Sequence, residues 1–551
     1  MRSLLLSVCL CLSLSSLAFA QSVQVIPWQD SGGNFLVNSI ITFMEADTNA
    51  AGEQLNDIYK LEMGGNYLLD QTVTLRNDIY LTADDYDRND PNLKPPVVRI
   101  VTQSDGTPST GLFFNAFANF KVENIYFAGM GTGDVWMNGN WLSVQAPDIE
   151  IRMAGCMFDY MGWSIITNFA HEGVSYVADN VYIKNNINAG DPYSPFFVLS
   201  VGPAVKSFIA RNCTYFQSHG MFMQARNPVE YVEIDHCTFV NNLKMQIFNE
   251  NLTNARITNN VFYNTLAIGE TPTENADKDR DGLSWSIVNV DTLPGNEPGG
   301  TDPIMPEDQR QLIVRNNVWH RTPAVEQFHS TNGLIAGPFM NSRTQDMFNN
   351  DTDWPGLDEA NNMNEDPAFG SFIDEASDSM FSFMNAFRGI SGTTSIWGFE
   401  TDRNEFPTLF RVNVEWPLVE DFEHNISMLG TDGLPLGDLS WYENIATGIE
   451  NDPSEVIANF ILEQNYPNPF NPETTIRYHL RESNNVTLAI FDVTGKLVRT
   501  LVSGERQAIG SYQARWDGKN DSGITVPSGV YFYRLNTAEA ISASRKMLLV
   551  K

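Results

Sequence analysis

The middle of the chain is written in short apolar runs that alternate with polar residues and break at Asn, Asp or Gly every few positions. A period of two marks strands with one buried face, and no stretch between these runs keeps helical spacing. Seven segments share one pattern: a strand ending in Asn or Cys, an apolar residue, then an aromatic, most with an Asn further on. They are VENIYFAG (122–129), MAGCMFDY (153–160), ADNVYIKNN (178–186), ARNCTYFQ (210–217), DHCTFVNN (235–242), TNNVFYNT (258–265) and RNNVWHRT (315–322). Taking the central residue of each as marker gives Asn124, Cys156, Asn180, Cys213, Cys237, Asn260 and Asn317. The successive steps are 32, 24, 33, 24, 23 and 57 residues, a base period near 23 or 24 lengthened by loop insertions.

A second short apolar strand accompanies each marker, as in GLFFNAF (111–117), WLSVQ (141–145), WSIITNF (163–169), MFMQAR (221–226) and MQIFNE (245–250). Units of this length bury their apolar face only against their neighbours, which makes a solenoid. Two or three strands per turn predict a parallel β-helix, in which equivalent residues stack at roughly 4.8 Å. Asn repeated at one corner can ladder its side-chain amides and tolerates the turn there. Cys fills a similar small buried volume without needing a hydrogen bond. In EIDHCTFVNN (233–242) a histidine stands beside a cysteine, the residue types of a base and its nucleophile. Cys237, however, falls 24 residues after Cys213 at the same marker, and His236 takes the slot of Asn212 and Asn259. The pair reads as one rung of a ladder.

These repeats resemble the right-handed parallel β-helix of the pectate-lyase-like superfamily. The likeness spans roughly residues 23 to 445, with MGGNYLLDQTVTLRNDIYLTAD (63–84) as the opening turns after an N-terminal cap. Near its end, EWPLVEDFEHNISMLGTDGLPLGDLSWYE (415–443) carries Gly430, Gly433 and Gly437 with Asp432 and Asp438. They read as tight turns that terminate the solenoid.

After an acidic connector the pattern changes. NYPNPFNP (465–472) is a proline-stiffened entry strap, followed by six or seven strand-like runs in about ninety residues, the signature of a small antiparallel sandwich. The motifs NYPNPFNP, FDVTGKLVRTLV (491–502), WDGKNDSG (516–523), PSGVYFYRL (527–535) and KMLLVK (546–551) closely resemble the type A C-terminal sorting domain of the type IX secretion system, with a flagellar-hook-cap-like immunoglobulin fold. The resemblance implies export, with Asn465, Pro467, Asn468, Pro469, Phe470, Gly529, Tyr531 and Lys546 as the residues carrying the sorting signal. It also implies the type IX machinery as partner, and release or surface attachment. At the other end, MRSLLLSVCLCLSLSSLAFA reads as a secretory signal peptide, too short for a membrane span. The expected organisation is a signal peptide (1–20), a β-helix (21–445), a linker (446–459) and a sorting domain (460–551). The fold class is therefore all-β, a solenoid followed by an immunoglobulin-like sandwich.

Charge narrows the partners. Against 34 Lys and Arg stand 67 Asp and Glu, a surface that repels nucleic acid and anionic lipid and makes a polyanionic ligand hard to hold. Cys156, Cys213 and Cys237 are an odd number once Cys9 and Cys11 leave with the signal, which argues against a disulfide framework.

Chemistry is sparse. Arg226 ends MFMQAR, Lys244 opens the following strand and His219 precedes both, so stacked turns would bring them to one outward face within reach of a sugar. The bland alternative pairs Arg226 and Lys244 with Glu230 or Glu250 at the surface. Ser218-His219-Gly220 is one residue from the G-H-G of polygalacturonases, but the accompanying elements are missing. Asp277, Asp279 and Asp281, followed by Gly282, have the D-x-D-x-D-G spacing of a Ca²⁺ loop, with Val288 where a bidentate Glu would stand. Trp136, Trp141, Trp163, Trp285 and Tyr193 can stack on sugars or fill the core. Two functions stay open: a non-catalytic surface protein that binds glycan or adheres, and a polysaccharide lyase or glycosidase acting on an extracellular glycan.

Overall fold

A computed structural model describes residues 23–442 and 460–550, save for short internal stretches of which 187–196, 273–284 and 391–421 are the longest. The chain divides into two compact units, Met1–Glu443 and Asn444–Lys551. The first is a parallel β-helix. Among the described residues its strands form sheets of eleven, ten and seven strands, every pairing within them parallel. One coil shows the path: Val205–Arg211 in the eleven-stranded sheet, Thr214–Phe216 in the ten-stranded sheet, Met223–Ala225 in the seven-stranded sheet, then Val229–Asp235 beside the first.

Alternation sends one side of each strand inward. Ala178, Ala210, Ile234, Ile257 and Val314 stack in register down the eleven-stranded sheet. Phe239 and Phe262 stack down the ten-stranded sheet with centroids 4.8 Å apart and planes 5° from parallel. Each such ring, buried on all sides, contributes about 1.5–3 kcal/mol over an exposed one. The helix Ser39–Ala46 covers the first coil with Ile40, Ile41 and Met44.

The corner between the eleven- and ten-stranded sheets takes two residues. The first is left-handed in every coil from Asn124 on: Asn124 (φ 58°), Gly155 (58°), Asn180 (52°), Asn212 (49°), His236 (49°), Asn259 (60°), Asn316 (54°) and Asn361 (56°). Asn dominates because its short polar side chain tolerates that region. The second residue points inward: Ile125, Cys156, Val181, Cys213, Cys237, Asn260, Asn317 and Asn362. Two of the markers therefore need correcting. Asn124 and Asn180 occupy the left-handed position, one residue before the slot shared by Cys156, Cys213, Cys237, Asn260 and Asn317, because Asn serves both positions.

The inward slot also corrects the role given to cysteine. Asn260 Nδ2 donates to Ile234 O and Asn317 Nδ2 to Ile257 O, both at 2.9 Å, each reaching the inward-stack carbonyl one coil back. Cys237 Sγ approaches Ala210 O and Cys213 Sγ approaches Ala178 O, each at 3.5 Å, the same carbonyl in the same relation. The thiol is a weak donor standing in for the amide.

The second unit pairs a three-stranded with a four-stranded antiparallel sheet around Trp516, Tyr533, Ile476 and Leu488. Asn465 N donates to Tyr533 Oη at 2.8 Å and Asn468 Oδ1 accepts from Leu548 N at 2.8 Å. Phe470 and Tyr531 both pack on Trp516, with centroids 5.5 and 5.2 Å away. Gly529 opens the strand Gly529–Asn536, whose Phe532 pairs with Lys546. Pro467 and Pro469 lie outside the described residues. The asparagine and aromatic positions of the tail motif thus hold its own sandwich together.

Candidate functional site

The residues first singled out do not assemble in view. Arg226, His219 and the acidic positions Asp277, Asp279 and Asp281 lie outside the described residues, as do Trp163 and Tyr193. Lys244 was expected on an outward face; instead it is 3% exposed. It lines a cavity of about 10 Å³ with Glu270 and Trp285, room for about one water. Residues from later in the chain, Leu266, Ile268 to Glu270, Trp285 and Ile335, close over it, so Lys244 is no surface cation. Trp141 is fully buried among Phe114, Phe127 and Phe158, and Trp285 is buried as well. Trp136 is partly buried and donates to Tyr160 O at 3.0 Å.

The three outward faces differ in what covers them. The ten-stranded face is closed by the chain itself. Helix Ser371–Ile390 sets Ile373 and Ala376 against Phe216, Val240 and Tyr263, and Phe422 and Trp441 complete that apolar layer. The segment from Phe422 to Tyr442 was expected to end the solenoid; it runs sideways across the coils instead. Gly437 N donates to Asn259 O and Asp438 N to Thr238 Oγ1, both at 2.8 Å. Thr214 Oγ1 donates to Asp438 Oδ2 at 2.7 Å and accepts from Trp441 Nε1 at 2.6 Å. The reason is register: Thr214 and Thr238 stack outward in neighbouring coils and offer a ladder of hydroxyls that a strap can read. Gly437 is required, since at φ 78° a Cβ would stand 2.5 Å from Thr238 Oγ1.

His236 latches this strap. Its Nε2 lies 2.9 Å from Asp432 Oδ2 and its Nδ1 3.2 Å from Gly437 O. Both partners only accept, so the ring satisfies both as imidazolium. Burial pulls the His236 pKa down, but the Asp432 hydrogen bond and the Asp235 and Asp432 charges outweigh it and leave the pKa above its ordinary value. Cys237 beside it has its pKa raised, by burial first and by Cys213 next, so the thiol stays protonated and is no nucleophile. Towards the first coils the same face ends in a buried ion pair. Lys184 Nζ lies 3.1 Å from Asp159 Oδ2, which also accepts from Tyr126 Oη at 2.9 Å, while Asn185 Nδ2 donates to Asp159 Oδ1 at 2.9 Å.

The eleven-stranded face is tiled by paired charges. Arg211 Nε donates to Glu233 Oε1 at 2.6 Å, and Tyr231 Oη to Glu233 Oε2 at 2.5 Å. The Glu233 charge is the main reason the Arg211 pKa is raised. Arg152 pairs with Glu150 and Arg315 with Asp358 in the same manner.

The seven-stranded face is different again. Over its first coils the outward positions are Thr74, Asn115, Ser143 and Thr167 in one register row. Just past the ends of these strands, two residues beyond that row in sequence, stand Arg76, Phe117, Gln145 and Phe169. Phe117 is 39% exposed and Phe169 49%. The Arg76 guanidinium sits 5.1 Å from the Phe117 ring centroid, and Gln145 Nε2 donates to Ser143 Oγ at 2.8 Å. Arg76 is the one charge in these two rows. Such a strip offers apolar ring faces framed by uncharged donors and acceptors, the equipment for holding a polyhydroxylated ring.

Sequence reading passed over both phenylalanines, although each ends a segment already recognised as a strand, GLFFNAF and WSIITNF. Each stands just past the end of its strand, Leu112–Ala116 or Ile166–Thr167, where strand alternation no longer fixes the side it faces.

Among the described residues no three of His, Cys, Asp and Glu are grouped to hold a metal ion, and no helix is long and apolar enough to cross a membrane. Residues 472–540 match the FlgD Ig-like domain. No curated protein matches the chain. Two solved structures from Porphyromonas gingivalis are similar to a part of it. One is dimeric latent PorU, with 25% identity, 17% of this chain and 10% of that chain covered, and a TM-score of 0.15. The other is PorZ, described as an essential bacterial surface component of the type-IX secretion system, with 20% identity, 17% and 12% covered, and a TM-score of 0.13. The chain thus spans about a tenth of the length of either.

Proposed function

We propose that this protein is exported by the type IX secretion machinery to the cell surface or beyond, and that its β-helix binds an extracellular glycan on the seven-stranded face. The export reading rests on the signal-like start and the ordered tail motifs around an immunoglobulin-like domain. The binding reading is carried by one observation: Phe117 and Phe169 lie exposed on a strip with a single charge in a chain of net charge −33. On this sheet Thr74 is exposed and Asn115 and Ser143 are half-buried, with Thr167 covered, whereas the strap and ion pairs occupy the other two faces.

Binding is tested by screening the purified protein on a glycan array and repeating with Phe117→Ala and Phe169→Ala. Both variants should lose the signal; a wild-type protein that binds no glycan would remove the reading. Export is tested by deleting residues 460–551, which should leave a folded body in the periplasm. Normal secretion of that truncation would defeat the sorting assignment.

A further inference from the structure

The two outer faces of the tail sandwich differ more than folding requires. On the three-stranded sheet the outward register pairs are Thr475 with Arg515 and Arg477 with Gln513, polar as a solvent face should be. On the four-stranded sheet the strands Asn484–Asp492, Gly529–Asn536 and Ser542–Leu549 send Leu488, Ile490, Tyr531, Tyr533, Met547 and Leu549 into the core. Several of the alternate positions, which face out, are apolar as well. Leu497 pairs with Phe491 beside a β-bulge, Phe491 with Phe532 and Phe532 with Lys546, one row across all four strands. Val530 pairs with Leu548 two positions along. Leu497 is 48% exposed, Phe532 37% and Leu548 38%, so packing of the sandwich does not account for them. The motifs FDVTGKLVRTLV, PSGVYFYRL and KMLLVK therefore hold two sets of residues, of which the core explains one. Apolar side chains of this size left together in solvent mark an interaction surface.

Charge says what fits there. Residues 460–551 hold 11 Lys and Arg against 8 Asp and Glu, in a chain with 34 against 67. Beside the apolar row Ala489 pairs with Arg534, whose guanidinium lies 5.1 Å from the centroid of the Phe491 ring, and Thr487 pairs with Asn536. These rows bring cations and no carboxylate to the face.

We infer that this face is the docking surface of the tail, and that its partner is a protein of the export route presenting an apolar patch edged by carboxylates. This rests on the export reading above. Anionic lipid is the poorer occupant: clusters that bind it carry about four to eight cations, whereas these rows supply Arg534 and Lys546 in a molecule of net charge −33. A second copy would bring its own Arg534 and Lys546 to the contact, like charge against like. An acidic protein meets both features, its rim charges steering the encounter while the buried apolar groups hold the complex.

The test is export of the full chain from a bacterium carrying the type IX system, read as the ratio of protein outside the cells to protein in the periplasm. Phe532→Glu and Leu548→Glu should each lower that ratio about tenfold. Arg534→Glu should lower it too, and Arg534→Lys should keep it. Arg477→Glu, the matching charge reversal on the other sheet, should leave it unchanged. Circular dichroism and thermal unfolding of the purified chains confirm folding, and Phe532→Ser or Leu548→Ser replaces a Glu variant that fails to fold. Normal export of the Phe532 and Leu548 variants, with the 460–551 deletion still trapped, overturns the docking face and leaves the export reading standing. Normal export of Arg534→Glu overturns the acidic partner. Normal export of the deletion removes both readings. If Phe532→Glu instead abolishes binding of the chain to phosphatidylglycerol vesicles, or dissociates a dimer seen by sedimentation, the occupant is lipid or a second copy and the inference falls.

Discussion

The ten-stranded and seven-stranded faces belong to the same coils and are built by the same alternation, yet one is roofed and the other is open over its first three coils, at Thr74, Asn115 and Ser143. On the first, outward positions are apolar or hydroxylated, as Met157, Tyr182, Phe216, Val240, Thr214 and Thr238, and a strap and helix from later in the chain cover them. On the second, the early coils present Thr74, Asn115, Ser143 and Gln145 with two phenylalanines left in solvent. Large apolar side chains left bare while others are covered within the same domain mark an interaction surface. The difference separates residues kept for stability from residues available for a ligand, and substitutions should respect it.

The largest effect is expected beneath the roof. Trp441→Ala removes a fully buried indole that packs on Phe422 at 4.7 Å and donates to Thr214 Oγ1. It should cost about 3–5 kcal/mol in urea denaturation. A loss below 1 kcal/mol would mean the strap is not bound in solution.

The corner ladder comes next. Asn260→Ala leaves Ile234 O and the Asn317 amide short of partners and should cost about 1–3 kcal/mol. Cys213→Ser keeps a donor for Ala178 O and should cost less than Cys213→Ala. The reverse order would show that volume, not donation, decides the slot.

A pH dependence probes the latch. The pKa of His236 is raised on folding, so its contribution is complete below its unfolded value and is lost as pH rises through the folded one. For Asp432, burial raises the pKa but the His236 interaction outweighs it and lowers it, so that contribution is lost as pH falls through the depressed value. His236→Asn keeps a residue suited to φ 49° and removes the charge. Its destabilisation should therefore be largest at about pH 5.5 and small at about pH 9. A difference that is flat with pH would sink the ionic latch.

The smallest effect on stability belongs to the bare face. Phe117→Ala and Phe169→Ala should shift unfolding by about 0.5 kcal/mol or less while weakening glycan binding. If either instead destabilised like Trp441→Ala, the contrast between the faces would collapse.

Local pattern carried the solenoid, since the coils repeat a left-handed corner, in most an inward aromatic, and in three a second Asn, within a dozen residues. That second Asn marks another left-handed turn, as at Asn185 (φ 51°), Asn241 (54°) and Asn264 (50°), with Asn264 Nδ2 donating to Asn241 Oδ1 at 3.1 Å. The marker slip at Asn124 and Asn180 arose where one residue type suits two adjacent positions. The strap was illegible because its partners are remote: Asp438 meets Thr214 across 224 residues, and no local periodicity encodes such a contact. Lys244 misled for a related reason, since the residues that bury it come from Gly269, Trp285 and Ile335.

The strap also orders events in time. Phe422 to Tyr442 follows every coil in the sequence, and its partners extend back to Met157. During synthesis a growing solenoid therefore carries an apolar flank that only the helix Ser371–Ile390 and then the strap can shield, both made after every coil they cover. Closure is the final step of assembly. A chain halted before Phe422 is left as a client for holding chaperones.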